Sequence, residues 1–149
     1  MSVPLSFKKE SIASAEEAKA LIANHWKEVA FHKDIPLDPD YEKYKQMEES
    51  GSLRCFTARA QGKLVGYSVY FVQTHLHYKQ TLYAMQDLMY IDPEYRGRGM
   101  AFLDWCDSQM KEEGVQVSML HVKVNLDYGP ALKRIGYEPI DRIYGRRLF

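Results

Sequence analysis

The sequence predicts an α/β or α+β fold built on a mixed sheet, and three observations predict it. Residues 53–92 carry strand texture in three successive runs. Amphipathic helical segments flank those runs on both sides. A strand–helix–strand unit over residues 81–124 then requires a right-handed crossover and at least one parallel strand pair. The chain has 149 residues, the length of one ordinary domain, 1–149, and enough to bury about two-thirds of its unfolded surface.

Taken in order, residues 3–8 read as a first strand, and a helix follows from Ser14, where Ser14 and Glu17 fit an S-x-x-E capping box. Ala18, Leu21, Ile22, His25, Trp26 and Val29 recur at helical spacing, so one face is apolar. The chain breaks at Pro36 and restarts with Asp38 as N-cap and Pro39 in the first helical position, stopping at Gly51. "LRCFTARA", the turn Gln61-Gly62 and "KLVGYSVYFVQTH" form a hairpin, and after a polar loop "TLYAMQDLMYID" is a third strand. Residues 99–114 are helical, with Phe102, Leu103, Cys106 and Met110 on one side and Asp104, Asp107, Ser108 and Lys111 on the other. A strand "VQVSMLHVKV", a short helix around "YGPALKRI" and a last β segment from Tyr137 to Phe149 complete the chain.

Composition narrows the function classes. Apolar residues make up 46% and charged residues 27%, the balance of a water-soluble globular chain. Twenty Lys plus Arg offset twenty Asp plus Glu, which removes any global electrostatic case for nucleic acid or an anionic membrane. Cys55 and Cys106 have no CxxC or Cys/His metal spacing around them and read as buried thiols in a reducing compartment. The longest near-apolar run, "LVGYSVYFV", is too short to span a bilayer, and the N-terminus lacks an apolar targeting core, so the expected location is cytoplasmic.

The chemistry-bearing stretch is "EYRGRGMAF", residues 94–102. A strand ending in Asp92-Pro93, a loop with Gly97 and Gly99 and a following helix bring several backbone N–H groups to the positive end of a helix dipole, which is a phosphate cradle. A Walker loop needs G-x-x-x-x-G-K-[ST], which is absent; a dinucleotide fingerprint needs a glycine at position 102, which is Phe. The competing reading is a glycine-rich connection with solvated arginines.

What remains, Arg96-x-x-Gly99-x-Ala101, resembles the Q/R-x-x-G-x-G/A coenzyme A pyrophosphate loop of the GNAT superfamily of N-acetyltransferases. The preceding Met89-Tyr90-Ile91-Asp92-Pro93 resembles that family's L-x-V-x-P strand. Downstream, Asn125 stands before a helix and the pair Gly136-Tyr137, again as in the family, so the resemblance covers about residues 64–140. It implies a GNAT fold, with a central mixed, mostly antiparallel sheet and helices on both faces, and acetyl-CoA as cosubstrate with no metal. It further implies that the backbone of Gly97, Arg98, Gly99, Met100 and Ala101 holds the pyrophosphate, supplemented by the Arg96 and Arg98 side chains. The main chain of Met89 and Ile91 would pair with the pantetheine arm, and Asn125 would hydrogen-bond it; a helix N-cap is the other reading of Asn125. One departure stands at position 132, where many members place the tyrosine that protonates the departing thiolate and this chain has Leu132. Tyr128, one helical turn earlier, is the substitute candidate, against a packing tyrosine.

An acceptor amine of pKa about 10 is only about 0.1% neutral at pH 7, a deficit near 4 kcal/mol, so a base must take its proton. Asp87, alternating with Met85 and Met89 on the strand before the loop, is the candidate. The competing reading is a surface residue paired with a lysine. The resemblance places a carboxylate at this position in several small-amine members and a glutamate at the position of Met85 in histone-type members. The N–H near Met89 would stabilise the oxyanion.

Other groupings are weighed against these. His75 and His77 share a strand face but lack a third metal ligand, and His121 reads as a core or cleft residue. Glu28, Asp34, Asp38, Asp40 and Glu42 could attract a cationic amine or form a solvated cap. Arg142, Arg146 and Arg147 are too few for a nucleic-acid surface. The expected function is direct acetyl transfer to a small-molecule or peptide amine, with a coenzyme A-binding regulatory or interaction module as the alternative that Leu132 keeps open. Oligomeric state, a homodimer included, stays open.

Overall fold

The computed structural model describes residues 3–149. Five strands, β1 (Leu5–Lys9), β2 (Leu53–Ala60), β3 (Lys63–His75), β4 (Tyr78–Ile91) and β5 (Val117–Met119), form one sheet in the order β1-β2-β3-β4-β5. The first three pairings are antiparallel and β4–β5 is parallel. Helices α1 (Ala15–Val29) and α2 (Tyr41–Glu49) cover one face, α3 (Gly99–Glu112) covers the other, and α4 (Gly129–Arg134) follows β5. This is the mixed, mostly antiparallel sheet with helices on both faces that the resemblance implied.

Strand alternation, reset by a bulge in β3 and another in β4, sets up the two-sided core. Phe56, Tyr70 and Ala84 point to the α3 face and pack with Phe102, Cys106 and Met110. Leu64, Tyr67 and Tyr90 meet Ala18, Leu21 and Ile22 of α1, while Leu53, Cys55 and Val69 lie beneath Tyr44 and Met47 of α2. Gln61 and Gly62 take φ of 51° and 82°, the two left-handed residues of a type I′ hairpin turn, so the predicted β2–β3 hairpin forms, with a bulge where Ala58 faces Gly66 and Arg59 faces Leu64.

Five local expectations are corrected. Ser14 makes no side-chain cap; Glu17 instead reaches Arg59, which also binds Glu10, so the acid of the expected capping box is drawn into an ion cluster between α1 and β2. The N-cap of α2 is Asp40, whose carboxylate accepts from Lys43 N at 3.0 Å, because Pro39 holds the chain short of the helix. Strand β5 spans three residues rather than ten, and residues 137–149 form no strand. Pro39 has a counterpart there: Pro139 lacks a donor, Gly145 interrupts the run, and Ile140, Ile143, Tyr144 and Leu148 do not alternate with period two. His77 lies in the tight β3–β4 turn rather than on a strand, its N–H bonded to His75 Nδ1 at 3.0 Å.

The short β4–β5 pairing matters most. It joins Tyr83–Met85 to Val117–Met119 and then ends, while β4 continues to Ile91. At that point the β3–β4 register slips: Val69 faces Leu88 and Tyr70 faces Gln86, leaving Asp87 as a bulged residue. Before the bulge, Ala84 and Gln86 face α3; after it, Met89 and Ile91 do. Asp87 and Leu88 therefore both project toward α1 and α2, and Asp87 does not share a face with Met89 as simple alternation predicted.

Two tests follow from this packing. A Cβ at Gly66 would lie 2.9 Å from Tyr90 O and 3.1 Å from Ile91 Cγ1. Gly66→Ala should cost about 1–3 kcal/mol in urea unfolding, since β4 backbone must move to admit it. Hydrogen bonding from Arg59 holds Glu10 down to about 2, against partial burial that pushes it up. A depressed carboxyl stabilises the fold above its unfolded pKa of about 4.5, and that stability is lost as pH falls toward about 2. Glu10→Gln should therefore show a smaller loss of urea midpoint across that window than the wild type.

Candidate functional site

A cavity of about 740 Å³ opens on the α1/α2 face and runs to the N-terminus of α3. Gln86–Ile91 form its floor, and Gly99, Met100, His121, Lys123 and Tyr128 close the α3 end. It is continuous with the gap left where β5 stops pairing. Asp92 N donates to Val65 O at 2.8 Å, so the alternate residues Ile91 and Met89 turn their main-chain groups to the open edge. Ile91 O there accepts from Arg96 Nε at 2.9 Å.

The glycine-spaced loop folds as a 3-10 turn, Pro93–Arg98, running into α3 at Gly99. Asp92 caps the turn by accepting from Glu94 N. Gly99 N–H donates to Arg96 O, so this amide is used within the turn. No side chain caps the first turn of α3, which leaves the Met100 and Ala101 amides pointing from the positive end of a 14-residue helix. Gly97 is exposed, and nothing stands within 4 Å of where its Cβ would be.

The two loop arginines separate. Arg96 borders the cavity, places its guanidinium 5.4 Å from the Tyr90 ring centroid and donates from Nη2 to both Glu28 oxygens at 2.8 and 2.7 Å. Arg98 turns away: it bonds Val3 O and lies over the Tyr95 ring. Asn125 does not cap α4, which starts at Gly129; its Nδ2 donates to Glu28 O at 3.0 Å. Two residues assigned to coenzyme A thus meet on Glu28 of α1.

Asp87 lines the cavity and accepts a hydrogen bond from Tyr44 Oη of α2, not from a lysine. Tyr128 also lines the cavity, and burial raises its pKa, so its hydroxyl keeps its proton at neutral pH. Leu132 is buried, contributing packing where a tyrosine was expected of the family. Cys55 borders the cavity, but burial pushes its thiol up to about 12, and burial raises Cys106 as well; neither is a ready nucleophile.

Sequence reasoning missed three partners. Tyr44 gave no signal of its own in the sequence. Glu28 was grouped with four other acids, yet Asp34 binds Arg147, Asp40 caps α2, and of the five only Glu28 and Asp38 line the cavity. His25, read as an apolar-face position, shares a 2.9 Å hydrogen bond with Tyr67 Oη and stacks on Tyr90; burial pushes it down to about 4, so the imidazole is neutral. Among the described residues no three His, Cys, Asp or Glu side chains stand together as a metal site, and no helix is long and apolar enough to cross a membrane.

Comparison with known proteins agrees with this architecture. No curated protein matches the chain by sequence. Among solved structures, a ribosomal-protein-alanine N-acetyltransferase from Brucella melitensis biovar Abortus 2308 superposes with a TM-score of 0.73 at 17% identity, over 98% of this chain and 100% of that one. A transcriptional regulator from Bacillus halodurans C-125 gives 0.78 at 14% identity, over 97% and 100%. An aminoglycoside acetyltransferase from an uncultured soil metagenomic sample, in complex with sisomicin, gives 0.71 at 15% identity, over 96% of both chains. At these identities the likeness is one of fold. The model of the acetyltransferase (GNAT) family matches residues 20–133, and by that match the chain belongs to the GNAT family of acetyltransferases.

Proposed function

We propose that the protein moves an acetyl group from acetyl-CoA to a primary amine, directly and within a ternary complex. The observation that carries this reading is the open β4 edge over Gln86–Ile91, ending beside the uncapped first turn of α3. Acetyl-CoA supplies the thioester carbonyl. The Met100 and Ala101 amides suit its diphosphate, and the outward main chain of Met89 and Ile91 suits the amide groups of its pantetheine arm. Asn125, which already bonds Glu28 O through one of its two Nδ2 hydrogens, is the further hydrogen-bond donor to that arm.

The remaining chemistry belongs to side chains that line the cavity. Asp87 takes the proton of the acceptor ammonium, and Tyr44 Oη fixes the orientation of that carboxylate. The Met89 N–H stabilises the oxyanion that forms on attack. Tyr128, held neutral by burial, gives its proton to the departing thiolate. A covalent route through cysteine is disfavoured by the raised thiol pKa values. The acceptor is a small-molecule or peptide amine.

The buried Leu132 favours one second reading, a coenzyme A-binding regulatory or interaction module without turnover. Amine-dependent release of coenzyme A distinguishes the enzyme; binding of acetyl-CoA with thermal stabilisation and no release would identify the module.

Asp87→Ala is expected to lower kcat by about 10²-fold or more while calorimetry gives an unaltered acetyl-CoA Kd. A kcat within about two-fold of wild type would remove Asp87 from the mechanism. At Gly99, a Cβ would already sit 3.4 Å from Ile91 Cδ1, and a branched side chain blocks close approach to the helix N-terminus. Gly99→Val should abolish the rise in Tm on adding acetyl-CoA, with the far-ultraviolet circular dichroism of the wild type retained; a wild-type rise would overturn the loop assignment.

A further inference from the structure

Resting on the acetyl-transfer reading, we propose that the acceptor is a monoamine whose single ammonium is carried on an aromatic or branched apolar body. One wall of the cavity is formed by Trp26 and Val29 of α1 and by Phe31, Ile35 and Leu37 of the α1–α2 connector. The three connector side chains are 79%, 50% and 44% exposed, so the fold itself does not bury them. Apolar groups scattered singly on a surface carry no message, whereas three within seven residues on one concave wall form a ligand-facing patch. Pro36 restricts the connector between Ile35 and Leu37, which lowers the entropy lost when a ligand packs there.

The charges point the same way. Three carboxylates border the cavity, Glu28, Asp38 and Asp87, and two are engaged: Glu28 with Arg96 and Asp87 with Tyr44. Asp38 stands exposed beside Leu37. Arg96 and Lys123 place positive charge on the same surface, and His25 is neutral. An acceptor with several ammonium groups would have to desolvate each one, and the cavity does not hold a carboxylate for each. One ammonium delivered to Asp87 leaves an apolar remainder free to cover the connector wall.

Steady-state kinetics with acetyl-CoA and four amines test this: phenethylamine, isoamylamine, spermidine and kanamycin. The expected result is a kcat/KM for phenethylamine and isoamylamine about ten-fold or more above that for either polycation, the scale that burying a few apolar groups supplies. Ile35→Ser combined with Leu37→Ser should raise the phenethylamine KM about five-fold or more. Both positions are half-exposed, and the acetyl-CoA-induced rise in Tm reports that the variant is folded. A polycation used as well as or better than the monoamines, or an unchanged phenethylamine KM in the folded variant, would overturn the monoamine inference and leave acetyl transfer standing. Absence of coenzyme A release with all four amines and with other primary amines would instead remove the acetyl-transfer reading beneath it.

Discussion

The parting of β4 from β5 is the constraint on which the site depends. A strand inside a sheet satisfies its main-chain groups on both sides, and β4 does so only as far as Met85. Beyond that point one edge has a partner in β3 and the other faces a cavity. The bulge at Asp87 occurs within two residues of the parting, which is the expected companion of a change in strand direction. One irregularity thus has three effects: it opens the edge, it puts Asp87 and Leu88 on the same side, and it aims a carboxylate at α2.

The elements around the gap are fastened to one another by polar contacts rather than by sheet pairing. Arg96 joins the turn before α3 to both β4 and α1, and Asn125 joins the segment after β5 to the same glutamate's carbonyl. A guanidinium held on both carboxylate oxygens and over an aromatic ring is a geometrically specific tie. On the far side Arg59, Glu10 and Glu17 fasten β2 to α1. The apolar core can then be divided into an α3 side and an α1/α2 side without the helices drifting over the cleft.

The central sheet was legible because its signals are local. The three central strands, the Gln61-Gly62 turn and the amphipathic α3 each announce themselves within about a dozen residues. The glycine-spaced loop was legible for the same reason. What escaped were features fixed between distant segments. Tyr44 meets Asp87 across 43 positions, and Glu28 meets Arg96 across 68. The bulge carries no glycine or proline to mark it, so alternation counted through residues 86–88 put Asp87 on the same face as Met89. The C-terminal segment failed in the opposite direction, since β-prone residues such as Ile143 and Tyr144 have no strand to pair with and stay exposed.

The burial of the two cysteines reaches beyond the choice between direct and covalent transfer. With Cys55 pushed up to about 12, only about one thiol in 10⁴ is ionised at pH 8, and Cys106 is shielded at least as deeply. A chromogenic aromatic disulfide added to the folded protein therefore finds almost no thiolate to react with. On the proposed acetyl transfer, colour developed with such a reagent would count the liberated coenzyme A alone, so turnover could be followed continuously on the native chain with both cysteines in place.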